Sequence, residues 1–431
     1  MHISGGGLRL LLKNSMLSLA LKAFSTIMAL AVNVILARQL GPADYGIYAL
    51  ALSVALLLGF PAHVGIPKLL VREVALYHAR AQWNYLRGII RRARQAVVLL
   101  SLVVCAAAGT TLLLLDIPGG EAYLLALVLV PVFALLRLSE AIARGLHRPI
   151  SAQVPEMLVR SPVNLMLVGV VGVVGQLSAV GAVAAYAVAT TAAAWMAGVL
   201  AKSAVRQETV VATPSFETRE WAKAVVPFAL LGGITLINTR IDLLMLGLLA
   251  DTQEAGLYRV ALQLSTLVAF ALSAVSALLA PQISRLYHTG QRTELQRMLT
   301  WGARIVAAVG VPTVLGMFFF GETILTMLFG REYLGSHSAL VILCAGQLVN
   351  ALTGSIGLLI NMTGHERVAV RTLTVTAAAN IVLNMLLIPT MGGAGAAVAT
   401  AVSLASFNAY LSYHAWRFMR LDATVIGAGP R

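Results

Sequence analysis

Seven ionisable side chains stand inside long apolar runs of this sequence: Lys22, Arg137, Glu140, Glu156, Arg160, Arg240 and Asp242. A charge within a bilayer is costly, and such residues by default mark a polar cavity or a transport path. Arg137, Glu140 and Arg144 fall at i, i+3 and i+7 on one helical stripe, and Glu156 and Arg160 at i and i+4. Either set can pair along its own helix and let the helix ends pack. Lys22 and Arg240 have no acid three or four positions away, and Asp242, two residues beyond Arg240, faces elsewhere on a helix. These two cations therefore call for a carboxylate on another helix, water or an anionic ligand. Asp242 can be such a partner, a proton or cation site, or a solvated outer residue. Asn380 and Asn384 are one turn apart, suited to hydrogen bonds between helices. No GxxxxGK[ST], HExxH, CxxC or GxSxG pattern occurs, so no catalytic residue, metal or cofactor is expected and the chain does not read as an enzyme. Cys105 and Cys344 read as small packing residues.

The elements that must position these groups follow from composition. Of 431 residues 59% are hydrophobic and 11% charged, with a mean hydropathy of +0.86, which excludes a water-soluble fold. Apolar runs bounded by charges predict twelve transmembrane helices, at about 14–38, 45–64, 95–115, 121–143, 152–174, 178–201, 223–249, 256–280, 302–321, 336–362, 369–389 and 394–416. The first run is too long for a signal peptide's apolar region and reads as a retained helix. Of the 31 Lys and Arg residues, four lie in spans and only Arg38, Arg259 and Arg331 flank one side, which places both termini in the cytoplasm. The same bias explains the +14 charge without nucleic acid. The stretch 67–80 reads as an interfacial cytoplasmic helix.

The polar segment 203–222 divides the chain into an N-terminal six-helix bundle (1–202) and a C-terminal bundle with a short tail (223–431). The halves resemble each other: Asp44-Tyr45-Gly46-Ile47-Tyr48 matches Glu254-Ala255-Gly256-Leu257-Tyr258, and Ala93-Arg94 matches Ala303-Arg304. A repeat that begins on the same side in both halves is parallel, which favours a transporter with its site between the halves. Gly46 and Gly256 are expected in tight outer turns, gating the outer mouth, with Tyr48 and Tyr258 anchored at the membrane interface.

Leu40-Gly41-Pro42-Ala43-Asp44-Tyr45-Gly46-Ile47-Tyr48 resembles the LGPxxYGxY signature of bacterial polysaccharide exporters, the oligosaccharide flippases of the multidrug/oligosaccharidyl-lipid/polysaccharide superfamily. Gly65-Ile66-Pro67 with Arg72-Glu73, Arg144-Gly145-Leu146-His147-Arg148, Arg240-Ile241-Asp242 and the run from Asn380 to Thr400 resemble it too. The resemblance implies an all-α protein of two pseudo-symmetric six-helix bundles in a V around a central cavity, working by alternating access in the bacterial inner membrane. It implies a polyprenyl diphosphate-linked oligosaccharide as substrate, flipped to the outer leaflet for O-antigen, capsule or exopolysaccharide synthesis. Lys22, Arg137, Arg160 and Arg240 would hold the diphosphate, with Asp242, Glu140 and Glu156 as candidate ion-coupling groups and Asn380 and Asn384 as structural ones. Membrane lipids, a polysaccharide polymerase and a chain-length regulator are the expected partners. The rivals are a peptidoglycan lipid-precursor flippase, a drug/cation antiporter of the same superfamily, and a membrane polysaccharide polymerase or ligase, for which the outer loops are short.

Overall fold

The computed structural model describes residues 5–114, 119–175, 177–205 and 207–427, and no strand occurs among them. The helices are α1 (Gly5–His63), α2 (Ile66–Ala79), α3 (Trp83–Leu114), α4 (Gly120–Ala126), α5 (Leu129–Gly145), α6 (Pro149–Val154), α7 (Ser161–Val174), α8 (Ala179–Ala204) and α9 (Gln207–Val211). They continue as α10 (Thr218–Leu249), α11 (Thr252–His288), α12 (Arg292–Leu328), α13 (His337–Leu352), α14 (Ile356–Met362) and α15 (Glu366–His414). A π-helical turn, Pro155–Arg160, joins α6 to α7. Ten helices among the described residues are long and apolar enough to cross a membrane.

Two of the ten are double. Ala20–His63 runs for 44 residues and Glu366–Met419 for 54, where about 20 suffice for one crossing. Each contains one glycine in a backbone conformation that other residues avoid: Gly41 at φ 71°, ψ 171° and Gly392 at φ 53°, ψ −132°. Tyr45 Oη donates to Asn33 Oδ1 at 2.8 Å, although twelve residues of straight helix would separate them by about 18 Å. The chain therefore folds back at Gly41. It does so again at Gly392, since Asn384 and Thr400 both reach Asp242. Glu254 secures this second turn, accepting a 2.7 Å hydrogen bond from the Gly393 amide.

The turn position differs from the sequence expectation. Gly46 and Gly256 are buried and helical, in α1 and α11, and neither has a positive φ. The positive-φ glycine before Pro42 makes the first turn because proline readily starts a helix but cannot extend one backwards through its missing amide hydrogen. Tyr48 is buried and stacks on Tyr45, with ring centroids 6.0 Å apart. Tyr258 is wholly buried, so neither tyrosine is an interfacial anchor.

The chain forms two compact units, Met1–Ile237 and Asn238–Arg431, and the division falls inside α10, whereas sequence polarity points to 203–222. That polar segment docks along the start of α3. The Ser215 amide donates to Asn84 O at 3.1 Å, Arg87 donates to Ala212 O, and Arg92 reaches Thr218 Oγ1 at 3.2 Å and lies over the Phe216 ring. Trp221 Nε1 donates to Tyr77 Oη at 3.0 Å, and Tyr77 Oη donates to Glu217 Oε2 at 3.1 Å. Burial pushes the Tyr77 hydroxyl up to about 12, so it remains the donor to Glu217 at neutral pH. α2 is a helix as expected, turning Ile66, Leu69, Leu70, Val74 and Tyr77 into the first unit's core.

Candidate functional site

In the first unit, α5 presents Arg137, Glu140 and Arg144, and the π turn presents Glu156 and Arg160. The turn begins at Pro155, whose missing amide hydrogen cannot bond back along the helix. Arg137 ties the two elements together. Its Nη1 lies 3.0 Å from both Glu140 Oε2 and Glu156 Oε2, and its Nη2 lies 3.2 Å from Glu156 Oε1, giving a two-pronged contact with Glu156. Arg144 Nη2 is 3.1 Å from Glu140 Oε2, and Arg160 Nη2 is 2.9 Å from Glu156 Oε1. The Arg160 guanidinium also lies over the Tyr186 ring, 5.7 Å from its centroid. Three guanidinium groups meet two carboxylates, so the cluster keeps a net positive charge. Glu140 is its innermost group: the Glu140 side chain is 1% exposed, those of Glu156 and Arg160 are each 19% exposed, and that of Arg137 is 38% exposed. Such a surface offers planar N–H donors to an anion; both oxygens of Glu156 and Oε2 of Glu140 are held by arginine, while Glu140 Oε1 is buried without a hydrogen-bond partner.

Lys22 is exposed and sits between Ser18 and Ser25 on one stripe of α1. Ser18 Oγ accepts from Gln153 Nε2 at 3.2 Å and Ser25 Oγ is 3.1 Å from Ser161 Oγ, so this stripe runs along both flanks of the π turn. The structure thus brings Lys22 beside the segment holding Glu156 and Arg160.

The second unit gathers a different set. Asp242, on α10, is buried, and its Oδ2 accepts from Thr400 Oγ1 at 2.6 Å and Tyr258 Oη at 3.2 Å. Its Oδ1 accepts from Asn384 Nδ2 at 2.9 Å, and the same nitrogen lies 2.9 Å from Asn380 Oδ1. α11 thus supplies the tyrosine, one arm of α15 the two asparagines and the other arm the threonine. No arginine, lysine or histidine forms an ion pair with Asp242 among the described residues. Asn384 Oδ1 is buried without a hydrogen-bond partner. A buried carboxylate with neutral donors only, beside an orphan amide oxygen, is suited to take up a proton or a small hard cation. Arg240 is half-buried, has partners of its own, and belongs to the same helix.

Sequence reading found Asp242, Asn380 and Asn384 but neither Thr400 nor the role of Tyr258. Thr400 lies 16 residues beyond Asn384, and only the fold-back at Gly392 makes them neighbours. Tyr186 was likewise missed, being one aromatic in an alanine-rich helix.

The family model for "Polysaccharide biosynthesis protein" matches residues 11–287. The chain is 24% identical over 173 residues to the "Probable low-salt glycan biosynthesis flippase Agl15" of Haloferax volcanii, a segment covering 40% of this chain and 36% of that protein. It spans less than half the length of other curated relatives it matches. Among solved structures, an inward-facing multidrug resistance MATE family transporter of the MOP superfamily superposes with a TM-score of 0.74 at 14% identity, over 90% of this chain and 92% of that one. The lipid II flippase MurJ, in an inward closed conformation, superposes with a TM-score of 0.73 at 14% identity, over 91% and 86%. The fold is the one these transporters share.

Proposed function

We propose, from the premise that this chain belongs to the polysaccharide biosynthesis protein family, that it is a flippase which carries a polyprenyl diphosphate-linked oligosaccharide from the cytoplasmic to the outer leaflet of the bacterial inner membrane. The observation that carries this reading is the cationic cluster of the first unit. Arginines outnumber acids there, and Arg137 remains 38% exposed while paired. A diphosphate would accept from Arg137 and Arg160, with Lys22 alongside. The sugars would cross in a polar path while the polyprenyl tail stays in lipid. Twelve crossings with both termini in the cytoplasm, two six-helix halves and alternating access complete the proposal. A polymerase and a chain-length regulator are the downstream partners we expect.

Asp242 is the proposed coupling site. Its protonation or cation occupancy would bias one access state over the other, so that an ion gradient drives a movement that burial of the anion alone does not. Glu140 and Glu156, both engaged by arginines, serve the cluster instead. The test is reconstitution of the full chain in vesicles carrying a lipid-linked oligosaccharide on one leaflet, with appearance of the sugar on the other read by an added glycosidase. The proposal expects flipping that Arg137→Gln and Arg160→Gln each suppress. Equal rates in the variants, or transport of a cationic dye in place of the lipid-linked sugar, would sink it.

A further inference from the structure

On the first unit, α3, the C-terminal end of α8, and α9 enclose a groove of about 850 Å³ that lies outside the arginine cluster. Its lining changes along α3. Arg87, Arg91 and Arg94, with Lys202 from α8, make one end basic. Val98, Leu99 and Leu102, with Val205 and Val210, make the other end apolar, and no acidic residue lines it among the described residues. Arg87, Arg91, Arg94, Val98 and Leu102 recur every three or four residues and so form one stripe. From Arg87 to Leu102 that stripe is about 22 Å long. A headgroup region and one leaflet of hydrocarbon together measure about 20 Å.

Arg91, Arg94 and Lys202 are exposed and no acidic side chain pairs with them among the described residues, whereas Arg87 is engaged by the Ala212 carbonyl. Thr209 also borders the groove; it is 2% exposed and its hydroxyl has no hydrogen-bond partner. By the positive-inside rule this end lies at the cytoplasmic surface.

We infer that the groove binds an anionic phospholipid of the cytoplasmic leaflet, its phosphate among Arg91, Arg94 and Lys202 and an acyl chain along Val98, Leu99 and Leu102. Basic pockets between helices on this side recognise anionic headgroups in this way. A sugar-bearing lipid suits the groove poorly. Among the described residues the uncharged polar groups lining it are Gln95 and Thr209, and no aromatic ring is there for a sugar to stack on. The site is therefore distinct from the proposed path of the transported lipid, and its bound phospholipid would brace α3 against α8 where the polar segment docks.

The full chain, reconstituted in equimolar phosphatidylcholine and phosphatidylglycerol and then released in detergent, tests this by native mass spectrometry. Retained phosphatidylglycerol, without retained phosphatidylcholine, is the expected result. The Arg91→Ala/Arg94→Ala variant should bind it about thirtyfold more weakly, at one factor of about five per cation. Arg91→Lys/Arg94→Lys should retain it, because a phosphate accepts a point charge. Equal retention of both lipids, unchanged binding by the alanine pair, or loss of lipid by the lysine pair would overturn the assignment. So would retention of polyprenyl diphosphate in preference to phosphatidylglycerol, which would give the groove to the carrier lipid.

Discussion

The two units place polar groups on comparable helices and treat charge in opposite ways. In the first, every described carboxylate of the cluster is held by arginine, and the excess charge is positive. In the second, the hydrogen-bond partners of Asp242 among the described residues are a threonine, a tyrosine and an amide. The contrast extends to two tyrosines. Tyr45 reaches the neutral Asn33 across the Gly41 turn, and Tyr258 reaches the acidic Asp242 across the turn between α10 and α11. A scaffold that needs only a tyrosine-to-helix hydrogen bond manages with asparagine. The carboxylate in the second unit carries a desolvation cost that the asparagine avoids, and a group kept at that cost points to use. The difference teaches a division of labour: the first unit has the chemistry to hold an anion and the second the chemistry to sense an ion.

The largest expected effect breaks that division at Asp242. Asp242→Asn keeps the volume but removes the charge, and gradient-driven flipping in vesicles should fall by up to about a hundredfold. Equilibration of the lipid without a gradient should persist. If both fall together, Asp242 is part of the substrate path and the division fails.

Next comes Arg137→Gln, which strips the shared partner from Glu140 and Glu156. Breaking a fully buried pair costs about 3–5 kcal/mol. With Arg137 38% exposed, about 2 kcal/mol is expected, read as a lower unfolding midpoint in detergent. The double variant Arg137→Gln/Glu156→Gln should recover part of the stability but none of the flipping. Recovery of flipping would make the cluster a brace and not a binding surface.

How much of this was legible in the sequence depends on the distance over which each contact closes. Arg137, Glu140 and Arg144 follow from helical spacing alone, as do Glu156 with Arg160 and Asn380 with Asn384, because i+3 and i+4 neighbours meet on any helix. The Arg137 to Glu156 contact crosses 19 residues and needs the Pro155 turn. Thr400 needs the chain reversal at Gly392, which a hydropathy reading sees only as a gap between spans, and Tyr258 needs the turn between α10 and α11. Gly46 drew attention because the repeat marks it, but the repeat marks sequence likeness, and the backbone strain falls five residues earlier at Gly41. The polar segment 203–222 looked like a divider because it is hydrophilic, whereas its side chains and backbone pair with the polar end of α3.

Those turns give a third, smaller test. Gly41 and Gly392 occupy conformations close to glycine-only regions, so Gly41→Ala and Gly392→Ala should each cost about 1–3 kcal/mol. At Gly392 a Cβ would also lie 2.7 Å from Glu254 Oε2. Because Gly392 is the turn that brings Thr400 to Asp242, its variant should lose gradient dependence as well as stability, whereas Gly41→Ala should lose stability only. Equal loss of gradient dependence by both would erase the distinction between the units.

The smallest effect is the sharpest probe of the second unit. Tyr258 Oη donates to Asp242 Oδ2 across 3.2 Å, alongside the shorter 2.6 Å bond from Thr400. A long hydrogen bond of this kind is worth about 1 kcal/mol, or about a fivefold change in an equilibrium constant. Both hydroxyls compete with an incoming ion for the same oxygen. Tyr258→Phe should therefore lower the half-saturating concentration of the coupling ion about fivefold and leave the maximal flipping rate unchanged, since the ring still fills its buried site. Thr400→Val, removing the shorter bond, should move it further in the same direction. Tyr45→Phe is the matched control in the first unit: it deletes the bond to Asn33 and should leave the ion dependence where it was. An equal shift from Tyr45→Phe would show that the tyrosines act through helix packing and not through Asp242.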